Sequence, residues 1–303
     1  MIKRTKILIP VFFITILFAG CSQSAAPATQ GEDRLTVSVS ILPQKYFVER
    51  IGGERVSVNV MVGPGDSPHS YEPKASQMTA LSNSDVYFSI GVEFEDAWMD
   101  RICSANPQMR VVDLAQGISQ IPSQEQHSHE VEESAEENGN HSEEMDPHIW
   151  TSPANGALIA EKIAETLIAL DPAYATTYQE NLDALLADIS KLQTDINTAL
   201  SDVDARNFMV FHPAWGYFAR EFNLQQIPVE VAGSEPSASE LAQLIKEAEE
   251  ENISVIFAQP EFSTRSAEYI ASEIDGKVIL VSPLAEDWLD NMRTVAQTFA
   301  EEL

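Results

Sequence analysis

Six histidines are the side chains best suited to chemistry in this chain, and they fall into two groups. His127, His129 and His141 sit in an acidic tract, whereas His69, His148 and His212 sit in turns flanked by proline. A neutral imidazole can ligate a metal, relay a proton or simply hydrogen-bond, and the spacing of these six forms no local metal motif. The acidic tract is more legible. Residues 123–150 carry nine Asp or Glu side chains and no Lys or Arg. With so little apolar surface and so much unbalanced charge, 123–145 cannot fold by itself, and a disordered loop is expected across 117–147. Carboxylates and imidazoles on one flexible tract make a loose, low-affinity trap for divalent cations; the plainer alternative is a solvated acidic linker.

Composition narrows the function classes. A chain of 303 residues, 44% of them apolar, holds one large or two medium domains with real cores. The net charge is −29; the first twenty residues hold three basic and no acidic groups, so the remainder has 15 basic against 47 acidic, a net −32. Such a surface repels phosphate backbones, and no nucleic-acid partner is expected.

The N-terminus reads as a targeting segment. Lys3, Arg4 and Lys6 precede an apolar run over 7–18, the pattern of a secretory signal occupying 1–20. That run is too short for a membrane span, which needs about 20 apolar residues. Leu17-Phe18-Ala19-Gly20-Cys21 resembles, with one extra residue, the small-residue-then-Cys box of bacterial and archaeal lipoproteins. The resemblance implies lipid attachment at Cys21 and an extracytoplasmic protein anchored to the cell membrane; plain secretion with a free thiol is the alternative. Residues 21–34 suit a flexible tether. Cys103 is then left without a partner, and a buried, small apolar role is expected for it.

The remaining three histidines depend on the elements around them. A strand is expected over 35–40, a helix over 44–51 ended by Gly52-Gly53, and a second strand over 56–62. The turn 63–73, with His69, follows directly. A helix over 74–84, a strand over 86–90 and a shorter helix and strand at 97–103 and 111–112 complete a first lobe over 35–171. Such alternation points to a parallel sheet covered on both faces, in which ligands bind beyond the C-terminal strand ends. Residues 155–170 and 173–201 are helical around a break at Asp171-Pro172, with Leu182, Leu185, Leu186, Ile189, Leu192, Ile196 and Leu200 at spacings of three and four. The second helix would reach about 43 Å and serve, within a linker over 172–203, as a stiff strut. A coiled-coil dimer seam needs more heptads and more complementary charge, so a monomer is expected. The second lobe, 204–303, repeats the alternation: strands over 208–211, 226–231, 253–258 and 278–281, and helices over 214–222, 237–251, 265–274 and 286–303. Ser237 and Glu240 form a capping box. His212 directly follows a strand, and His148 lies on the way into the connecting helices.

Four stretches together carry a family resemblance: Gly65-Asp66-Ser67-Pro68-His69-Ser70-Tyr71-Glu72-Pro73, Asp146-Pro147-His148-Ile149-Trp150, Phe211-His212-Pro213-Ala214-Trp215-Gly216-Tyr217 and Ser234-Glu235-Pro236-Ser237. They resemble, in this order, motifs of the metal-binding lipoproteins of ABC importers, specifically the zinc-uptake branch, and the likeness extends over 35–303. It implies an α/β protein with two lobes of parallel sheet flanked by helices, joined by one long rigid backbone helix, with the metal in the cleft between lobes and delivery to a membrane permease. Carried onto this sequence, it implies His69, His148 and His212 as the metal ligands. Three neutral imidazoles suit tetrahedral Zn²⁺, whereas Mn²⁺ normally takes more carboxylate. The manganese branch commonly has Glu at the position of His212, which makes manganese or iron the lesser alternative. The family often places an Asp near Val281-Ser282-Pro283-Leu284, and this chain has Ser282 there. Water is therefore the first choice for a fourth ligand and Glu261 the second, since Glu261 follows a strand on the edge that carries His212; a surface carboxylate, or a helix-start partner for Ser263 and Thr264, is its ordinary role.

Three histidines and a water would also describe a catalytic zinc hydrolase, but no His-Glu-x-x-His helix is present. A metal-binding adhesin is a further alternative. The expected function is capture of a divalent metal, zinc foremost, for import without catalysis.

Overall fold

The computed structural model describes residues 34–124 and 145–303, Ala232 excepted, so Cys21, His127, His129 and His141 lie outside the described residues. In the first lobe β1 (Leu35–Val39), α1 (Leu42–Gly52), β2 (Val56–Val60), α2 (Ala75–Leu81), β3 (Val86–Ser89), α3 (Glu93–Ala105) and β4 (Arg110–Asp113) alternate, and the strands pair in parallel in the order β2-β1-β3-β4. Every residue of β3 is buried, as a strand covered on both faces requires. The chain runs from β1 outward to β2 and then crosses back to β3, so the loops at the C-terminal strand ends diverge and leave a crevice.

Two helices follow, α4 (Pro153–Leu170) and α5 (Ala175–Ala199). Ser152 caps α4, its hydroxyl accepting the Asn155 N–H at 3.1 Å, and Pro153 occupies the first turn. A 3-10 turn over Pro172–Tyr174 joins the pair. Asp171 pins that joint, accepting from Arg55 Nη2 at 3.2 Å and from the Tyr178 hydroxyl at 3.1 Å. The second lobe has β5 (Asn207–Val210), α6 (Gly216–Phe222), β6 (Gln225–Pro228), α7 (Ala238–Glu250), β7 (Val255–Ala258), α8 (Arg265–Glu273), β8 (Lys277–Leu280) and α9 (Trp288–Glu302), with parallel order β6-β5-β7-β8, the same winding as the first. Ser237 and Glu240 form the expected capping box on α7.

The long helix joins the lobes as expected, and the structure adds two particulars. Its α-helical part has 25 residues, about 37 Å, because the 3-10 turn takes up the first positions. It also does not stand alone: its stripe of Tyr178, Leu182, Leu185, Ile189, Leu192 and Ile196 is buried against α4, α1 and α9, so both lobes share one spine. Arg50 of α1 donates to Asp188 of α5 at 2.7 Å, and Asn181 of α5 donates to the Ile51 carbonyl at 2.8 Å. One hydrophobic core runs from Val37 and Phe88 through Ile163 and Leu185 to Phe257 and Phe299.

Two tryptophans stitch the lobes together. Trp150 Nε1 donates to the Pro283 carbonyl at 2.7 Å, and Trp288 Nε1 donates to the Trp150 carbonyl at 2.7 Å. Both indoles are buried, and Trp288 lies 4.7 Å from the Phe47 ring, centroid to centroid. Trp288 also explains Gly156, a helix-interior glycine: a Cβ there would sit 2.8 Å from the indole.

Other expectations need correction. Cys103 is exposed on α3, because Ile102 takes the core-facing position and the next residue turns about 100° away from it, at 3.6 residues per turn. The two ends of 117–147 are built into the fold: Ile118 and Asp146 are buried, and Pro122 and Met145 form an antiparallel bridge. Among the described residues no helix is long and apolar enough to cross a membrane.

Alanine is favoured over glycine by about 1 kcal/mol inside a helix. Gly156→Ala is nevertheless expected to destabilise the protein, by about 1–3 kcal/mol, because the buried indole must move. At roughly 2–4 °C per kcal/mol for a domain of this size, thermal unfolding should show a fall of several degrees. An unchanged or raised midpoint would mean that the seam has slack.

Candidate metal centre

Three strand-end loops and one turn converge at the cleft. His69 lies in the loop between β2 and α2, which is tethered to α3 through Phe94 N–H to the Pro68 carbonyl at 3.2 Å and to α2 through the Tyr71 hydroxyl to Gln77 at 2.6 Å. His148 begins a 3-10 turn (Ile149–Thr151) just before α4. His212 follows β5, where Gln259, following β7 and fully buried, clamps its backbone: the Gln259 amide donates to the His212 carbonyl at 2.7 Å and accepts the His212 N–H at 3.2 Å. His148 and His212 are buried; the His69 side chain keeps 24% exposure.

These histidines, far apart in sequence, each bring one ring nitrogen within 4.8 Å of the other two. His148 Nε2 and His212 Nε2 are 3.2 Å apart. Two nitrogens at about 2.0–2.1 Å from one tetrahedral Zn²⁺ would be separated by about 3.3–3.4 Å, so this pair already has the spacing of two corners of such a site.

The opposite ring nitrogen of every histidine faces a carboxylate. His69 Nδ1 is 3.0 Å from Glu93 Oε1, His148 Nδ1 is 2.7 Å from Asp146 Oδ1, and His212 Nδ1 is 3.1 Å from Glu230 Oε2. An ionised carboxylate accepts only, so the Nδ1 facing it carries the hydrogen and the Nε2 of that ring keeps its lone pair, as at the His148 and His212 Nε2 atoms that face each other. Asp146 also accepts the His148 backbone N–H at 2.8 Å. Its own backbone is held by the Ile121 carbonyl at 2.9 Å and by the Tyr217 hydroxyl, which donates to the Asp146 carbonyl at 2.7 Å. Two lone pairs facing each other at 3.2 Å repel, and a cation between them removes the repulsion.

The electrostatics follow from this layering. Burial, then the neighbouring His148 and His69, hold His212 well below the usual 6.5, so it stays neutral and ligand-competent. Burial acts to raise Glu93, but the hydrogen bond and charge of His69, with His148 behind, outweigh it and bring Glu93 down to about 2. Burial dominates at Glu230 and lifts it to about 7 against the pull of His69 and His148. Glu93, Asp146 and Glu230 have no part in the expected site and are added by the structure. Asp146 stood beside His148 in its motif, and Glu230 was a lone acid at the end of an apolar strand; nothing distinguished Glu93.

Glu261 follows β7 and borders the same void, yet it is not in the mutually close group of nitrogens. Its Oε1 accepts from Ser282 Oγ at 3.3 Å, which places the two residues expected to bear on a fourth position in contact with each other.

Gly216 lets Asp146 approach, since a Cβ there would lie 2.7 Å from Asp146 Oδ2. Gly216→Ala should therefore displace that carboxylate and weaken zinc binding about 10–100-fold, the usual effect of losing such a support, with helix content by circular dichroism unchanged. Wild-type affinity in a competitive titration would show that Asp146 has room to spare.

Comparison with known proteins bears on which metal-binding lineage this geometry serves. Residues 37–302 match the family model described as zinc-uptake complex component A, periplasmic. The chain is 27% identical over 278 residues to the high-affinity zinc uptake system protein ZnuA of Bacillus subtilis (strain 168), covering 90% of this chain and 85% of that protein. A crystal structure of ZnuA matches with a TM-score of 0.81 and 42% identity over 89% of this chain and 99% of the other. A ZnuA 138–173 deletion mutant with zinc bound matches at 0.80 and 43%, over 89% and 98%. With nearly its whole described length matched, this chain belongs to the family of zinc-uptake complex component A periplasmic proteins.

Proposed function

We propose that this metal-binding receptor for zinc uptake captures one Zn²⁺ through Nε2 of His69, His148 and His212, with water in the fourth position, and passes it to an ABC permease. The observation that carries the ligand set is the convergence of one ring nitrogen from each of the three histidines, with a carboxylate at each Nδ1. All-imidazole donors with carboxylates one layer back favour zinc over manganese, which prefers oxygen in direct contact. The ion is cargo and no reaction is performed on it. Extracytoplasmic placement accords with the family's periplasmic description, and Cys21 would serve as its lipid anchor. His127, His129 and His141 would add weak, unorganised binding beside the tight site.

Native mass spectrometry and competitive titration test the ligand set. His212→Ala should cost orders of magnitude in zinc affinity and Glu261→Gln little, while deletion of 123–145 should leave one tight site and remove weaker uptake. Tight binding retained by His212→Ala would sink the assignment. An equal loss in Glu261→Gln would put that carboxylate on the metal instead of water, and loss of the tight site on loop deletion would place a ligand in the loop.

Protons compete with zinc for the imidazoles, so affinity should fall as pH drops from about 7.5 to 5.5, across the free-imidazole value near 6.5. The His212 pKa lies well below 6.5, so this ring adds no competing proton until the pH is lower still. The competing protons should therefore come from the other two imidazoles and from Glu230, which burial lifts to about 7 beside His212. An affinity unchanged over that range would contradict the arrangement.

A further inference from the structure

The histidine void is small, about 10 Å³, and beside the three histidines Pro68, Trp150, Phe262 and Pro283 line it. Next to it, between the 63–66 loop of the first lobe and the 282–286 segment of the second, lies a larger cleft of about 310 Å³. Two residues, Glu261 and Leu284, line both spaces and so form the wall between them. Leu284 has nothing to offer a cation. Glu261 does: its Oε2 is buried without a hydrogen-bond partner, while Oε1 is lightly held by Ser282 at 3.3 Å. The other carboxylates lining the cleft each have a lysine nearby. Asp66 is 4.0 Å from Lys74, and Glu286 is bonded to Lys45. Among the described residues lining the cleft, Glu261 is thus the carboxylate left to meet an incoming ion.

We propose that Glu261 is a transfer ligand: it takes the hydrated cation from the cleft, holds it while water is shed, and yields it to the three imidazoles, with the reverse sequence on release. This rests on the histidine reading above and adds a route to it. A group that binds the ion only in transit stabilises the intermediate and not the end state, so it speeds entry and exit alike and leaves the equilibrium nearly untouched. Glu261 sits where that demands, at the wall and outside the close group of nitrogens.

The experiment measures rates and affinity separately on the whole chain. Zn²⁺ association is followed by stopped-flow fluorescence of Trp150, whose ring centroid is 5.3 Å from that of His148, and dissociation by a chromogenic chelator chase. Glu261→Gln should slow both rates about tenfold and leave the dissociation constant within about threefold. Glu261→Ala, which opens the wall, should also be slow in both directions. If Gln exchanges at the wild-type rate and Ala faster, Glu261 is only a steric plug and the proposal falls. If Glu261→Gln loses affinity through faster release alone, the residue is a resident ligand, which also overturns transfer but leaves the histidines in place. The histidine reading fails separately, through tight binding by His212→Ala. Thermal unfolding of both Glu261 variants confirms that rates are compared between folded proteins.

Discussion

Everything at the cleft depends on one requirement: three imidazoles from distant parts of the chain must aim a lone pair at one point before any ion is there to gather them. An unrestrained imidazole has two tautomers and a freely turning ring, and three such rings would rarely meet. Here each ring is fixed by a carboxylate on Nδ1, at 2.7 to 3.1 Å. The ordering cost is met during folding, which leaves more of the interaction energy available for binding. The arrangement also sorts charge by distance. Imidazoles line the centre and, when neutral, can be buried cheaply, while carboxyl groups stand one layer behind, where their ionised form favours a cation without ligating it.

Those carboxylates need fixed backbones of their own, and the two parallel sheets supply them. Glu230 emerges from β6 beside β5, with its N–H bonded to the Phe211 carbonyl at 2.9 Å, so its distance from His212 is set by strand pairing. Asp146 is set by Ile121, Tyr217 and the space above Gly216. That network reaches both sides of the cleft, because Tyr217 belongs to the second lobe and Ile121 to the first. Beneath it, α1, α4, α5 and α9 form the common spine, and the Trp150–Trp288 stitch begins two residues after His148. Lobe separation would break buried hydrogen bonds at each level. Metal capture in this fold is therefore a matter of loops and side chains at the cleft mouth, where His69 and Glu93 retain exposure.

The elements were legible in the sequence to within a few residues because their signals are local: apolar strands buried on both faces, helical spacing along α5, and a capping box before α7. The three histidines stood out by their turns and motifs. Their partners did not, since an Nδ1 contact between His212 and Glu230 is produced by strand pairing and leaves no periodic trace. Cys103 was misplaced for a related reason: a cysteine one position beyond Ile102 can face either way until the helix orientation is known. The long helix read as a strut because its apolar stripe shows that something covers it but not what, and α1 and α9 come from opposite ends of the chain.

A carrier must hold its ion tightly and still give it up, and the layout separates these demands. In the proposed site, affinity resides in three histidine nitrogens, two of them on buried rings, supported from behind by carboxylates. In the proposed route, exchange passes the wall that contains Glu261, whose hydrogen-bond partner is the hydroxyl of Ser282. A stronger or charged partner at position 282 would hold or repel Glu261 and alter that passage, whereas a hydroxyl at 3.3 Å steadies one oxygen and leaves the other uncommitted. The absence of an acid at Ser282 thus has a physical consequence beyond the count of ligands: it would keep the proposed inner sphere neutral, and it leaves one oxygen of the carboxylate at the wall without a partner.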